Sequence, residues 1–88
     1  MTQAEFMAWA KKTVLAYTLS HTDPTIDLDI TEDDVYIVWY CKSLQNHKAL
    51  LCTALFDKMY YEFTYNGNRG EAYLDVYRKV ENRVVKHE

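Results

Sequence analysis

The stretch of residues 34–65, DVYIVWYCKSLQNHKALLCTALFDKMYYEFTY, decides the fold of this chain. It holds eight of the thirteen aromatic residues and both cysteines. β-Branched and aromatic residues fit the half-buried surface of a pleated sheet. The pattern therefore predicts three antiparallel strands over residues 35–42, 49–56 and 59–65, joined by tight turns.

Two-residue loops at Asn46-His47 and Asp57-Lys58 would fix how these strands pair. Loops of three to five residues stay open as an alternative, since His47, Asp57 and Lys58 are weak turn formers, and they would shift the register. With two-residue loops, one face of the sheet is uncharged and is the predicted core. Its members are Ile37, Trp39, Cys41, Leu50, Cys52, Ala54, Phe56, Met59, Tyr61, Phe63 and Tyr65.

Helical periodicity flanks the stretch on both sides. Thr2 and Glu5 have capping-box spacing and open a helix that is expected to run to about Leu19 or Ser20. After the turn at residues 66–70, a second apolar stripe from Ala72 to Val84 favours another helix, although a fourth strand over 72–80 is the alternative. We predict one α+β domain over residues 1–88. Its order is α-β-β-β-α, a three-stranded meander with both helices on one face.

The segment between the first helix and the meander is acidic. Pro24 ends the helix, and Ile26, Leu28 and Ile30 then alternate with polar residues, which indicates an extra short edge strand over 26–30. The spacing of the acids lacks the glycine turn of a calcium loop, so a solvated surface is favoured over a metal site. We treat it as a secondary candidate surface, formed by Asp27, Asp29, Glu32, Asp33 and Asp34.

No residue pattern points to catalysis. His21, His47 and His87 are isolated from other potential ligands, and no serine or cysteine has the context of an activated nucleophile. We expect no enzyme activity, no metal and no cofactor. No apolar run approaches the roughly 20 residues of a membrane span, and no signal peptide is apparent, so we expect a cytoplasmic protein with reduced cysteines. The predicted pairing places Cys41 opposite Cys52, so a disulfide under oxidation stays open as an alternative.

The second face of the predicted sheet is the candidate binding surface. Tyrosines and aliphatic residues are interleaved there with Lys42 and Glu62, a composition typical of protein-binding patches. A host protein or a second copy of the chain would account equally for this surface. The predicted partner-binding residues are Tyr36, Val38, Tyr40, Leu51, Leu55 and Tyr60.

Nucleic-acid binding is the alternative function. The predicted element order resembles that of the double-stranded-RNA-binding domain, which reaches phosphates with lysines at the start of its second helix. The matching residues here are 71–75, EAYLD, and the net charge of the chain is −3. Both observations disfavour nucleic acid.

Several runs carry a resemblance to a known family: TEDDVY at 31–36, WYCKSLQNHKAL at 39–50, MYYEFTYNG at 59–67 and YLDVY at 73–77. They are similar to a small uncharacterised family of phage and prophage proteins from Gram-positive bacteria. The family has no assigned activity, so the resemblance transfers no functional residue. It implies a phage accessory protein that binds a host protein, for example to inhibit a defence or replication factor.

Overall fold

The computed structural model describes residues 1–55 and 57–87, and it shows one long helix on a four-stranded antiparallel sheet. The sheet order is β1-β2-β3-β4, so each strand pairs with its successor in the chain. The α+β class is confirmed, whereas the prediction of three strands and two helices is wrong. The elements are α1 (Gln3–Ser20), a short 3-10 helix (Glu32–Asp34), β1 (Val35–Ser43), β2 (Asn46–Thr53), β3 (Met59–Asn66) and β4 (Glu71–Arg78).

Helix α1 begins with the predicted capping box. The Glu5 amide donates to the Thr2 hydroxyl at 3.1 Å, and the Thr2 amide donates to the Glu5 carboxylate at 2.9 Å. These bonds satisfy N–H groups that a helix start leaves without partners. One stripe of the helix then packs chiefly across β2, with β1 and β3 on either side. The fully buried core consists of Phe6, Ala10 and Val14 from the helix and Val35, Ala49, Leu51, Tyr61 and Phe63 from the sheet.

The region after the turn at 66–70 is a strand, so the predicted second helix does not exist. Gly70 has a φ of 65° and its amide donates to the Asn66 carbonyl at 2.9 Å, which folds the chain back along β3. Leu74 and Val76 then lie opposite Phe63 and Tyr61. Half-buried and exposed residues alternate along β4 with the two-residue period of a strand. The sequence fits both a helix and a strand here, and pairing with β3 selects the strand.

The first hairpin and a bulge change the predicted register of β1. The loop is Leu44-Gln45, with Leu44 at a φ of 56°, and Ser43 lies opposite Asn46. The pairing shifts by one residue between Ile37 and Trp39. The side chains before and after this bulge therefore alternate out of phase, so odd-numbered residues face the core before it and the opposite side after it. Ile37 therefore packs against the core as predicted. Trp39 and Cys41 do not, and both are exposed.

The second connection reverses the prediction for β2. This strand ends at Thr53 and β3 begins at Met59, so the connection is longer than a two-residue loop. A shift by one residue sends every side chain of a strand to the other face. Leu51 is consequently buried, whereas Leu50 and Cys52 are only half-buried on the opposite face. Ala54 is exposed, and Phe56 lies outside the described residues.

Residues 26–30 do not form the predicted edge strand. They cross the end of α1, where Ile26 and Leu28 line a cleft with Leu55, Met59 and Tyr61. Leu28 and Ile30 are half-buried while Asp27 and Asp29 are exposed. The apolar alternation of this segment therefore reflects packing over the cleft instead of hydrogen bonding to a sheet edge.

Candidate protein-binding face

The sheet turns one face toward α1, and within residues 1–55 and 57–87 no helix packs on the other. Tyr36, Val38, Trp39, Tyr73 and Tyr77 are between 41% and 50% exposed there, a large aromatic content for solvent-facing strands. We call this surface the open face. Its members in the strand register are Tyr36, Trp39, Cys41, Lys48, Leu50, Cys52, Tyr60, Glu62, Thr64, Glu71, Tyr73, Asp75 and Tyr77, and we include the exposed Val38, which adjoins Trp39 at the bulge.

The register places apolar side chains of the open face together. Trp39 lies opposite Leu50, and Tyr36 lies opposite Cys52. On the same face, in the neighbouring strands β3 and β4, Tyr60 lies opposite Tyr77. Directly opposed residues of an antiparallel pair have Cβ atoms about 4.5–5.5 Å apart, so each of these pairs is in contact range.

Charged residues occupy the middle of the open face. The Lys48 ammonium is 3.2 Å from the Glu62 carboxylate, an ion pair whose side chains are 42% and 22% exposed. Glu62 also lies directly opposite Asp75, which is exposed. Like charges directly opposed on a sheet destabilise the pairing slightly. At the start of β4, the Tyr73 hydroxyl donates to Glu71 at 2.6 Å, and this bond raises the pKa of Tyr73.

The predicted partner-binding residues do not share one face. Tyr36, Val38 and Tyr60 belong to the open face, and the first two are about half exposed. Leu51 is fully buried beneath α1, so its prediction as a surface residue is wrong. Tyr40 also lies on the covered side, with its ring centroid 5.7 Å from that of Phe6. Leu55 follows β2 and lines the cleft at the end of α1.

The sequence reasoning missed several members of the open face, among them Trp39, Leu50, Tyr73, Asp75 and Tyr77. Trp39 and Leu50 were assigned to the core because the predicted register had the wrong parity. Tyr73, Asp75 and Tyr77 were assigned to a helix. Their alternation with Ala72, Leu74 and Val76 was the available signal, and it becomes decisive once the turn at 66–70 is recognised as a hairpin.

The acidic stretch has three exposed members and two half-buried ones, Glu32 and Asp34. Asp27, Asp29 and Asp33 are exposed, and the carboxylate of Asp34 accepts from the Thr31 amide at 2.8 Å as part of a cap on the 3-10 helix. Within the described part of the chain, no three potential ligands come close enough to hold a metal ion. Capping of the 3-10 helix thus accounts for Asp34, and Asp27, Asp29 and Asp33 remain a solvated surface.

A cleft of about 430 Å³ lies at the end of α1. Several of its polar side chains already bind the backbone: Asp57 accepts from the Met59 amide at 3.0 Å, and Thr22 donates to the Thr18 carbonyl at 2.6 Å. The ring nitrogen Nδ1 of His21 lies 2.9 Å from the Tyr17 carbonyl. These bonds stabilise the ends of elements, and the open face is therefore the stronger candidate site.

Comparison with family models gives one match, which covers residues 7–87 and is described as a family of unknown function, DUF6275. The chain belongs to this family. The expectation of an uncharacterised family is thereby confirmed at that level. Comparisons of this DUF6275 member with curated proteins and with solved structures find no match. None of the helices that the structure describes is long and apolar enough to cross a membrane.

Proposed function

We infer that this chain is a non-enzymatic protein-binding module that works through the open face. The observation that carries the proposal is the set of five large side chains, Tyr36, Val38, Trp39, Tyr73 and Tyr77, each 41–50% exposed on one face. Tyrosine and tryptophan are enriched at the centres of protein interfaces, where one anchor can contribute 2 kcal/mol or more to binding. A rigid sheet holds these anchors in place before a partner arrives, which lowers the entropic cost of binding.

The sequence resemblance supports the biological setting of this proposal. A phage accessory protein would act in the host cytoplasm and would bind a host protein, inhibiting a defence or replication factor. Such a protein needs a compact binding surface, and the open face is our candidate for it.

Nucleic-acid binding is a weaker second candidate. Exposed aromatic rings on a sheet can stack on the bases of single strands. Yet the open face presents Glu62, Glu71 and Asp75 against Lys48 alone, and phosphates require the opposite balance. The observed order of one helix and four strands also differs from that of the double-stranded-RNA-binding domain.

Affinity capture with a matched pair of variants tests the protein-binding proposal. Trp39→Ser with Tyr36→Ser removes two anchors of the open face. Leu19→Ser with Ile26→Ser removes two exposed apolar side chains elsewhere, at 46% and 56% exposure. We expect both variants to keep the circular dichroism spectrum of the wild type. Crosslinked capture from a bacterial host lysate, identified by mass spectrometry, should lose its specific partner in the first variant only. Retention of that partner by the open-face variant would contradict the proposal.

A further inference from the structure

We propose that the open face recognises an arginine-bearing segment of a partner protein, with the guanidinium group bound at Glu62 and Asp75 beside the rings of Tyr60 and Tyr77. This inference rests on the proposed function, because it states the partner chemistry of the same face.

The open face carries a net negative charge. Three carboxylates, those of Glu62, Glu71 and Asp75, face one ammonium group, that of Lys48, so the net charge of the face is −2. Within the described ranges, the ion pairs of the molecule are Lys48–Glu62 and Arg83–Glu81. Asp75 is thus an exposed carboxylate that lies opposite a second carboxylate and has no cationic partner among the described residues. A cation from outside would relieve this repulsion.

Aromatic residues lie next to the carboxylates of Glu62 and Asp75. Tyr60 lies opposite Tyr77 and Thr64 lies opposite Tyr73, and Glu62 and Asp75 lie between these pairs on the same two strands. Same-face neighbours along a strand are about 6.6 Å apart, so the rings of Tyr60 and Tyr77 are within side-chain reach of both carboxylates. The Tyr73 hydroxyl is bonded to Glu71 on its other side. Tyr77 and Tyr73 are 50% and 44% exposed and can still be contacted.

Arginine matches this arrangement better than lysine does. Its planar guanidinium stacks on an aromatic ring while its N–H groups form paired hydrogen bonds with carboxylates. Lysine presents a compact charge that lacks the planar fork. Partial shielding from water by the tyrosine rings would strengthen both the stacking and the charge-assisted bonds.

The row of directly opposed residues that contains Glu62 and Asp75 also contains apolar side chains that a partner could contact. Trp39 lies opposite Leu50, Leu50 opposite Glu62, and Glu62 opposite Asp75, each on the next strand. Adjacent strands are about 4.8 Å apart, so Trp39 and Glu62 are separated by roughly 10 Å across the sheet. We therefore expect the bound segment to carry an apolar side chain at about that distance from its arginine.

The charge also argues against a second copy of the chain as the occupant. Two open faces packed on each other would bring together two surfaces of net charge −2. Juxtaposed like charges oppose association and are a common means of rejecting wrong partners. The same negative charge opposes nucleic acid.

A display library of random short peptides, selected on the immobilised full chain, tests the inference. We expect selected peptides to share an arginine and an apolar residue. For the strongest peptide, replacing arginine by neutral citrulline should weaken binding about tenfold or more, as should the protein variant Asp75→Asn. Asp29→Asn removes the same charge from an exposed position outside the open face and should leave binding unchanged.

Other results separate this inference from the proposed function. Peptides without a basic residue that lose binding on Trp39→Ser would overturn the arginine inference and support protein binding by the open face. Peptides insensitive to both Trp39→Ser and Asp75→Asn, or a library without selected peptides, would overturn both. Sedimentation that shows a dimer of the wild type, abolished by Trp39→Ser, would overturn the arginine inference in favour of a second copy.

Discussion

The hydroxyl oxygen of Tyr40 lies 2.6 Å from Nδ1 of His47 on the covered side of the sheet. The His47 ring is 2% exposed and stacks on Phe6 with a centroid distance of 5.1 Å. Burial, together with the positive charges of Lys42 and the N-terminus, lowers the pKa of His47. A neutral ring with its proton on Nε2 would accept a hydrogen bond from the Tyr40 hydroxyl, whereas a protonated ring could only donate at Nδ1. The covered side of the sheet therefore holds a polar pair that depends on the protonation state.

The lowered pKa of His47 predicts that stability decreases as the pH falls below about 6.5, the ordinary histidine pKa. In that range the unfolded chain binds a proton that the folded chain resists, so protonation favours unfolding. Above it, both states are neutral and the effect vanishes. Urea denaturation at several pH values between about 5 and 8 measures the change. His47→Phe should remove most of this dependence, whereas His21→Asn, at an exposed position, should retain it. A His47→Phe variant with the wild-type slope would refute the prediction.

Leu50 and Leu51 provide a matched pair for the two faces of the sheet. Leu51 is fully buried beneath α1, whereas Leu50 is half-buried on the open face. Leu51→Ala should reduce the free energy of unfolding by about 2–5 kcal/mol, the usual cost of a cavity in a core. Leu50→Ala should cost less than half as much. Denaturant melts of both variants decide the matter, and equal losses would mean that the faces are assigned wrongly.

Replacing Trp39 tests which face of β1 is core. The register from sequence places Trp39 in the core, where truncation to alanine would cost roughly 3–5 kcal/mol. In the structure its side chain is 41% exposed on the open face. We therefore expect Trp39→Ala to remain folded with a smaller loss than Leu51→Ala, measured in the same denaturant series. Loss of folding on Trp39→Ala would restore the first assignment.

The two cysteines should not form a disulfide within one chain. Cys41 lies opposite Lys48 and Cys52 lies opposite Tyr36, so they are four residues apart along β2. That is about 13 Å, well beyond the roughly 7 Å that a disulfide allows between Cα atoms. Cys41 is exposed, and burial and Asp57 raise the pKa of the half-buried Cys52. A thiol reagent should therefore modify Cys41 faster, with Cys41→Ser and Cys52→Ser as controls, and mass spectrometry after mild oxidation should find no intramolecular bond.

The negative open face predicts no nucleic-acid binding below micromolar protein. Electrophoretic mobility shifts at low salt with duplex RNA, duplex DNA and single strands measure nucleic-acid binding. Arg69 lies exposed in the turn at 66–70 and is the cation closest in sequence to the expected position of a basic cluster. Salt-sensitive binding that is lost on Arg69→Glu would contradict the protein-partner proposal.

Local signals in the sequence predicted much of the fold. The first helix needs the Thr2 and Glu5 cap and an apolar stripe, both of which lie within a few turns. The strands within residues 35–65 follow from β-branched and aromatic content, and Tyr61 and Phe63 lie on the core face as expected. For the candidate site, Tyr36, Val38 and Tyr60 were placed correctly on an exposed face. These residues lie on the predicted face although the observed loops differ in position and length from the predicted ones.

The sequence by itself determined the α+β class, the helix, the strands of the meander and the presence of a tyrosine-rich surface, because each depends on neighbours along the chain. Only the tertiary structure decided which face of β1 and β2 is core, and that β4 is a strand. Alternation states which residues share a face of one strand, but a bulge at Val38 and the connection before Met59 each change the parity between strands. The choice for β4 depended on hydrogen bonding to β3, an interaction between segments that no local pattern contains.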